Sequence, residues 1–140
     1  MRGELLALLA AFLWGIAPLL DKTVMSSNVS PYLANVIRVG SALVFLAIAT
    51  LYMREYSTTH LTLRNVIYLI VAGVIASGLA MIIYFKALKL TQASRVVPIT
   101  SIYPLFTVIL SALILGEKVS VRIVIGAILI VIGVMLVSEG

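Results

Sequence analysis

The sequence contains no cysteine and very few charged residues for its length of 140 residues. Without cysteine, disulfides and thiolate chemistry are excluded. Charged residues make up 11% of the chain, against about 25% in a typical soluble domain. Hydrophobic residues make up 63%, and the mean hydropathy is +1.23. Such a composition cannot cover a water-soluble surface, so it predicts an integral membrane protein in a lipid bilayer.

Groups that carry enzyme chemistry are also missing from the sequence. The single histidine, His60, lies in a polar loop without nearby carboxylates, which predicts no metal site. No nucleophile–histidine–acid set and no phosphate-binding glycine loop is present. The sequence therefore predicts no enzyme activity and no cofactor. The net charge of +5 is expected to face lipid headgroups rather than nucleic acid.

Five apolar runs remain, and each is long enough to span a membrane as a helix. They predict an all-α, five-helix transmembrane domain over residues 1–140, with helices at about 4–22, 31–53, 65–88, 94–116 and 121–138. Every acidic residue is expected to lie at or beyond a helix end. The five acidic residues are Glu4, Asp21, Glu55, Glu117 and Glu139.

The fourth run is unusual because it carries two prolines and a polar stripe. At about 100° per residue, one side of the helix holds Ser94, Pro98, Ser101, Pro104 and Ser111. A helix that faced only lipid would gain nothing from such a stripe. It predicts either the wall of a cavity or a helix–helix seam, with the helix bent or unwound near Pro98 and Pro104.

One charge lies well inside a predicted span, and it is Arg38. Ionisable residues at membrane depth are candidates for function, although Arg38 could also reach the interface as an anchor. Asn35 lies one turn earlier on nearly the same face. Tyr84 is predicted to line a binding pocket, whereas Phe85 is predicted to belong to an interfacial aromatic belt.

Two further features concern packing. Trp14 lies in the middle of the first run, where its ring either faces a cavity or packs against a neighbouring helix. Gly126 and Gly133 lie on one stripe of the fifth helix and permit the close approach of another helix.

Several short motifs in order make the chain resemble the EamA domain of the drug/metabolite transporter superfamily. The resemblance rests on Leu13-Trp14-Gly15, Arg38, Tyr84–Leu88, Gln92-Ala93-Ser94, the proline-containing run Ser94–Ser111, Leu115-Gly116-Glu117-Lys118, Gly126-Ala127 and Gly133-Val134. It implies a half-transporter, because chains of that family usually have ten helices in two tandem domains. The absence of a central acid argues against the related small multidrug resistance type.

The predicted function is that of a transporter subunit for a small metabolite, such as an amino acid or a related amphipathic compound. The predicted substrate-binding residues are Trp14, Asn35, Arg38, Tyr84, Ser101 and Tyr103. The alternatives are a scaffold or accessory subunit that transports nothing, and a drug exporter of the small multidrug resistance type.

The basic residues are almost evenly shared between the two sides of the predicted membrane domain. One side holds Arg2, Arg54, Arg64, Lys118 and Arg122, and the other holds Lys22, Lys86, Lys89 and Arg95. Because lysine and arginine bias sets orientation, this balance predicts insertion in both directions. We therefore expect an antiparallel homodimer with the Gly126–Gly133 stripe in or near the contact. The expected location is the cytoplasmic membrane of a prokaryote.

Overall fold

The computed structural model describes residues 2–54 and 61–139, and within them the chain forms five helices that are long and apolar enough to cross a membrane. These helices are α1 Arg2–Ser26, α2 Pro31–Met53, α3 Leu63–Leu90, α4 Ala93–Leu115 and α5 Val121–Glu139. The predicted all-α membrane fold is thereby confirmed. The chain forms two compact units, Met1–Leu90 and Thr91–Gly140, which are described separately. The single-domain organisation stays a prediction.

Helix α1 extends further than the sequence predicted, and this changes the position of Asp21. The helix ends at Ser26 rather than near residue 22, so Asp21 lies more than one turn inside it. Three hydroxyl groups beyond Asp21 donate hydrogen bonds to carbonyls four residues earlier: Thr23 to Leu19, Ser26 to Lys22 and Ser27 to Thr23. These local bonds give the three hydroxyl groups partners within the same stretch of chain. The prediction that every acidic residue lies at or beyond a helix end is therefore wrong for Asp21.

The first unit packs most tightly at one end of its three helices. Both α1 and α2 contact Met81–Leu90, the last part of α3. The most buried residues of this unit are Met25, Asn35, Phe85 and Leu88. Helix α2 begins at Pro31, which suits a first helical position because proline has no N–H to leave unpaired there.

Helix α3 is not a regular α-helix throughout. Its middle segment, Val74–Ala80, is π-helical and lies between Leu63–Gly73 and Met81–Leu90, which are α-helical. A π-helical turn changes which carbonyls are bonded inside the helix, and such turns are frequent at functional sites. The Ser77 carbonyl in this segment accepts a hydrogen bond from Asn35 Nδ2 at 2.6 Å.

Helix α4 in the second unit is interrupted between its two prolines. Ala93–Thr100 and Tyr103–Leu110 are α-helical, and Ser101 between them has ψ 4. Pro104 has no N–H, so it cannot donate to the carbonyl four residues earlier. The helix then ends in a π-helical segment, Ser111–Leu115, and Gly116 follows with φ 67. That left-handed conformation suits glycine, which has no Cβ to clash.

Helix α5 packs against α4 within the second unit, where Val96, Ala127 and Val134 are buried. The Arg95 Nη2 atom donates to the Ser138 carbonyl at 2.7 Å and so satisfies a carbonyl at the end of α5. Gly126 and Gly133 are not used for close packing here. Apart from the backbone of the surrounding helix and the two chain neighbours, no described atom lies within 4 Å of a Cβ built on either glycine.

Candidate functional site

An ion pair joins α1 and α2 inside the membrane-spanning part of the first unit. Arg38 Nε lies 3.7 Å from Asp21 Oδ1, and the side chains are 41% and 13% exposed, respectively. At this distance the two groups attract each other as charges without forming a hydrogen bond. Placing ionisable residues inside a span is expensive, and such residues usually mark substrate or ion pathways.

A cavity of about 300 Å³ lies beside this pair and is open on the side where Leu20, Val24 and Ile37 are exposed. Its volume is at the lower end of the range for small-molecule sites. Except for the two charged residues, its wall is apolar. The lining residues are Leu20, Asp21, Val24, Met25, Val29, Ala34, Ile37, Arg38 and Phe85. The cavity therefore offers one cation and one anion against a hydrophobic wall.

A second cavity, of about 400 Å³, lies along α2 and reaches α3. Arg38 lines both cavities. The remaining wall of the second cavity consists of Val39, Ala42, Leu43, Leu46 and Ser77. Ser77 is the residue whose carbonyl accepts the bond from Asn35, so the second cavity borders the π-helical segment of α3. A guanidinium shared by two cavities can interact with a ligand in either of them.

Two buried polar atoms in this unit have no hydrogen-bond partner among the residues that the structure describes. They are Asn35 Oδ1 and the Tyr84 hydroxyl oxygen. Asn35 is only 8% exposed, and its Nδ2 atom is already bonded to Ser77. A buried polar atom without a partner costs about 1–3 kcal/mol. Such atoms are often satisfied by an ordered water or a ligand.

Lysines near this end of the unit make contacts with the helix bundle. The Lys22 Nζ atom donates to the Leu88 carbonyl at 2.6 Å, which satisfies one of the last carbonyls of α3. Lys86 Nζ lies 5.5 Å from the centre of the Tyr32 ring, a cation–π contact. Both contacts join α3 to a preceding helix and hold the packed end of the unit together.

The structure brings together three of the six residues predicted to bind substrate. Asn35, Arg38 and Tyr84 belong to the packed end of the first unit; Arg38 lines both cavities, whereas Asn35 and Tyr84 line neither, and Asn35 adjoins the second cavity through its bond to the Ser77 carbonyl. Trp14, in the same unit, is 67% exposed and lines neither of the two cavities.

The other two predicted residues, Ser101 and Tyr103, belong to the second unit. The Ser101 hydroxyl donates to the Val97 carbonyl at 2.9 Å, within its own helix. The Tyr103 side chain is 59% exposed. Both residues lie at the interruption of α4 between Pro98 and Pro104.

The prediction that Phe85 belongs to an interfacial aromatic belt is wrong. Phe85 is 1% exposed and lines the first cavity, whereas a belt residue would face the membrane interface. The belt prediction used its position near the end of α3. Phe85 is buried because α1 and α2 both pack against that end of α3.

Sequence reasoning also missed Asp21 and Ser77. Asp21 was placed at a helix end, and its pairing with Arg38 could have been found from one signal. An acid and a base that lie one to two turns from the same loop, on the two helices that this loop joins, are at similar depth and can pair. No side-chain signal marks Ser77, because the structure uses its backbone carbonyl.

The part of the chain that the structure describes contains no group of three or more residues with side chains able to hold a metal ion. His60 lies outside the described residues.

The chain is an α-helical integral membrane protein, and its first unit carries an ion pair on the wall of a cavity. The chain belongs to the EamA-like transporter family, whose model matches residues 1–139. The family and the names of the relatives point to a transporter rather than an enzyme.

Relatives come from bacteria and archaea. The chain is 29% identical over 131 residues to an uncharacterized transporter of Clostridium kluyveri, covering 94% of this chain and 42% of that protein. It is 27% identical over 137 residues to an uncharacterized transporter of Archaeoglobus fulgidus, covering 98% of this chain and 48% of that protein. The chain thus spans about half the length of these two relatives.

A protein of Methanocaldococcus jannaschii, in contrast, is matched over almost its whole length. It is 30% identical over 137 residues, and the match covers 96% of this chain and 94% of that protein. No solved structure matches the chain significantly.

Proposed function

We propose that this chain is a five-helix half of a transporter that moves a small metabolite across the membrane by alternating access. The observation that carries the proposal is the Asp21–Arg38 pair, which lies between two membrane-spanning helices and lines a cavity. Membrane-embedded charges are costly unless they are paired or used.

The proposed substrate is an amphipathic compound such as an amino acid or a related metabolite. The apolar wall of the first cavity suits a hydrophobic substituent, while Arg38 offers a planar fork of donors that fits a carboxylate. Asn35 and Tyr84 add hydrogen-bonding atoms near the same end of the unit. Trp14, Ser101 and Tyr103 remain proposed contacts along the transport path.

Irregular helices support the alternating-access part of the proposal. Transporters commonly use discontinuous helices, whose free backbone groups contact substrate or ions and whose breaks permit movement. Here α4 is interrupted at Ser101–Ile102, and α3 and α4 each contain a π-helical segment. At these irregular segments the helices can bend while the regular α-helical segments on either side keep their hydrogen bonds.

A second copy in the opposite orientation is proposed to complete the transport path. The chain spans about half the length of two relatives, and many transporters consist of two inverted halves. The near-equal distribution of lysine and arginine between the two sides favours insertion in both orientations. Because the relatives come from prokaryotes, the proposed location is the cytoplasmic membrane of a prokaryote.

Uptake and counterflow in proteoliposomes test the proposed function. The purified chain would be assayed with a panel of labelled amino acids, hydroxy acids and small amines, alongside empty liposomes. We expect saturable exchange of at least one compound and a rise in unfolding temperature when it binds. If no compound is moved and none shifts the unfolding temperature, the non-transporting scaffold is the better description.

A further inference from the structure

We infer that Asp21 is a specificity-determining residue that acts with Arg38 to select a zwitterion, a ligand with a positive and a negative group close together. The inference rests on the proposed transport function and adds to it the charge of the substrate. It follows from the contact between Arg38 Nε and Asp21 Oδ1, at 3.7 Å, on the wall of the first cavity.

The pair is arranged so that each charge can still accept a ligand. Its separation exceeds hydrogen-bond distance, so neither group has used its hydrogen-bonding atoms on the other. The closest approach is through Nε, and the fork formed by the two terminal nitrogens of Arg38 is the geometry that binds carboxylates. Asp21 contributes acceptor oxygens that suit an ammonium group.

Charge balance then decides which ligands are admitted. An anion drawn to Arg38 would lie beside the Asp21 carboxylate and be repelled by it. A cation drawn to Asp21 would meet Arg38 in the same way. A zwitterion provides a new partner for both residues at once, so no charge is left unpaired away from water. Selection by unpaired or like charge is a common source of specificity.

The rest of the cavity wall supports a zwitterion with an apolar side chain. Leu20, Met25 and Phe85 contribute hydrophobic surface next to the two charges. Of these, Met25 and Phe85 are 3% and 1% exposed and form the floor of the cavity, whereas Leu20 is 67% exposed and lies at its open side. A compound such as leucine presents all three features: an ammonium group, a carboxylate and a branched apolar side chain.

Three compounds of nearly equal shape test the inference. Leucine is the zwitterion, 2-hydroxy-4-methylpentanoate replaces its ammonium group by a hydroxyl, and leucinamide replaces its carboxylate by an amide. Proteoliposomes with the full chain would be assayed for uptake of each compound and for competition among them. We expect leucine to be preferred over both analogues by at least about tenfold.

The variant Asp21→Asn removes the negative charge at nearly constant volume. We expect it to lower leucine uptake by at least about tenfold and to shift the preference towards 2-hydroxy-4-methylpentanoate by a similar factor. Asp21→Glu, which keeps the charge, should retain the preference for leucine. Glu117→Gln, in the exposed turn after α4, is a charge-matched control that should behave as the unaltered chain does.

The outcomes separate this inference from the proposed function. If the unaltered chain transports compounds of the wider panel but prefers the anion or the cation, the inference is wrong and the transport function stands. An Asp21→Asn protein that folds and keeps its preference for leucine also overturns it. If Asp21→Asn does not fold, loss of the leucine preference in Asp21→Glu decides against the inference. If nothing is transported, the proposed function fails and the inference fails with it.

Discussion

At the scale of single residues, the site depends on where two charges lie relative to the membrane. Arg38 is 41% exposed in the chain but lies within α2, which has a mean hydropathy of 2.0. Facing lipid alone, an arginine at the centre of a span costs at least about 2.5 kcal/mol on insertion scales. The Asp21 carboxylate offsets part of that cost, and the adjoining cavities give the guanidinium access to a ligand.

Substitution of Arg38 tests this assignment. Arg38→Lys keeps the charge but loses the planar fork, so we expect transport to fall at least about tenfold while the protein is still expressed and inserted. Arg38→Ala should be at least as impaired, because it also leaves Asp21 unpaired. Initial uptake rates at matched protein levels measure the effect. Normal transport by both variants would remove Arg38 from the substrate-binding site.

Asn35 is expected to contribute to stability through its bond to the Ser77 carbonyl. Asn35→Ala removes this bond and leaves a small void but also removes the unpaired Oδ1 atom, so the unfolding free energy should fall by only about 1 kcal/mol. Thermal unfolding of the detergent-solubilised protein measures the change. Ser26→Ala is the matched control, since its exposed hydroxyl bonds only to the Lys22 carbonyl of its own helix. Equal unfolding temperatures for the two variants would contradict the proposed role of the Asn35–Ser77 bond.

At the scale of secondary structure elements, the prolines of α4 provide a second test. Pro104→Ala restores an N–H that can bond to the Thr100 carbonyl, and Pro98→Ala does the same for Ser94. We expect each variant to be more stable, by up to about 3 kcal/mol, and less active, because a continuous helix resists bending. Unfolding temperature and counterflow rate should therefore move in opposite directions. Full activity in both variants would show that the interruption is not needed for transport.

The same elements show how far the sequence predicts the structure. Hydropathy identifies the five spans because bilayer thickness imposes their length, and Pro98 and Pro104 identify α4 as irregular. Charge alone predicts that α1 ends near residue 22, whereas the helix reaches Ser26, and the hydroxyls of Thr23 and Ser26 donate to carbonyls of the same helix.

The candidate site was predictable only in part, because it depends on contacts between helices. Arg38 stands out in sequence as the charge inside a span, and Asn35 follows from helical periodicity. The pairing with Asp21 and the burial of Phe85 depend on how α1, α2 and α3 pack. The π-helical segment around Ser77 has no recognisable sequence signal.

At the scale of the whole molecule, the two glycines of α5 bear on assembly. A Cβ at Gly126 or Gly133 would meet no described atom within 4 Å beyond its own stretch of helix, so Gly126→Ala and Gly133→Ala should leave the fold of the second unit unchanged. If the stripe lies in the contact between copies, larger residues should weaken dimerisation. We expect Gly126→Leu/Gly133→Leu to reduce cross-linked dimer at least about fivefold. Val121→Leu, on the same helix, is the control. Equal dimer yields would place the contact elsewhere.

The central claim is that two oppositely oriented copies form one transporter, and locking the orientation tests it most directly. Added lysines on one side bias insertion, so Leu61→Lys/Glu117→Lys should favour one orientation and Ser27→Lys/Gln92→Lys the other. All four positions are exposed. One-sided labelling of a cysteine introduced at Ser94, which is exposed, would verify each orientation. We predict that each locked variant alone transports nothing above empty membranes and that the two co-expressed variants restore uptake. Transport at the unaltered rate by either locked variant alone would contradict the claim.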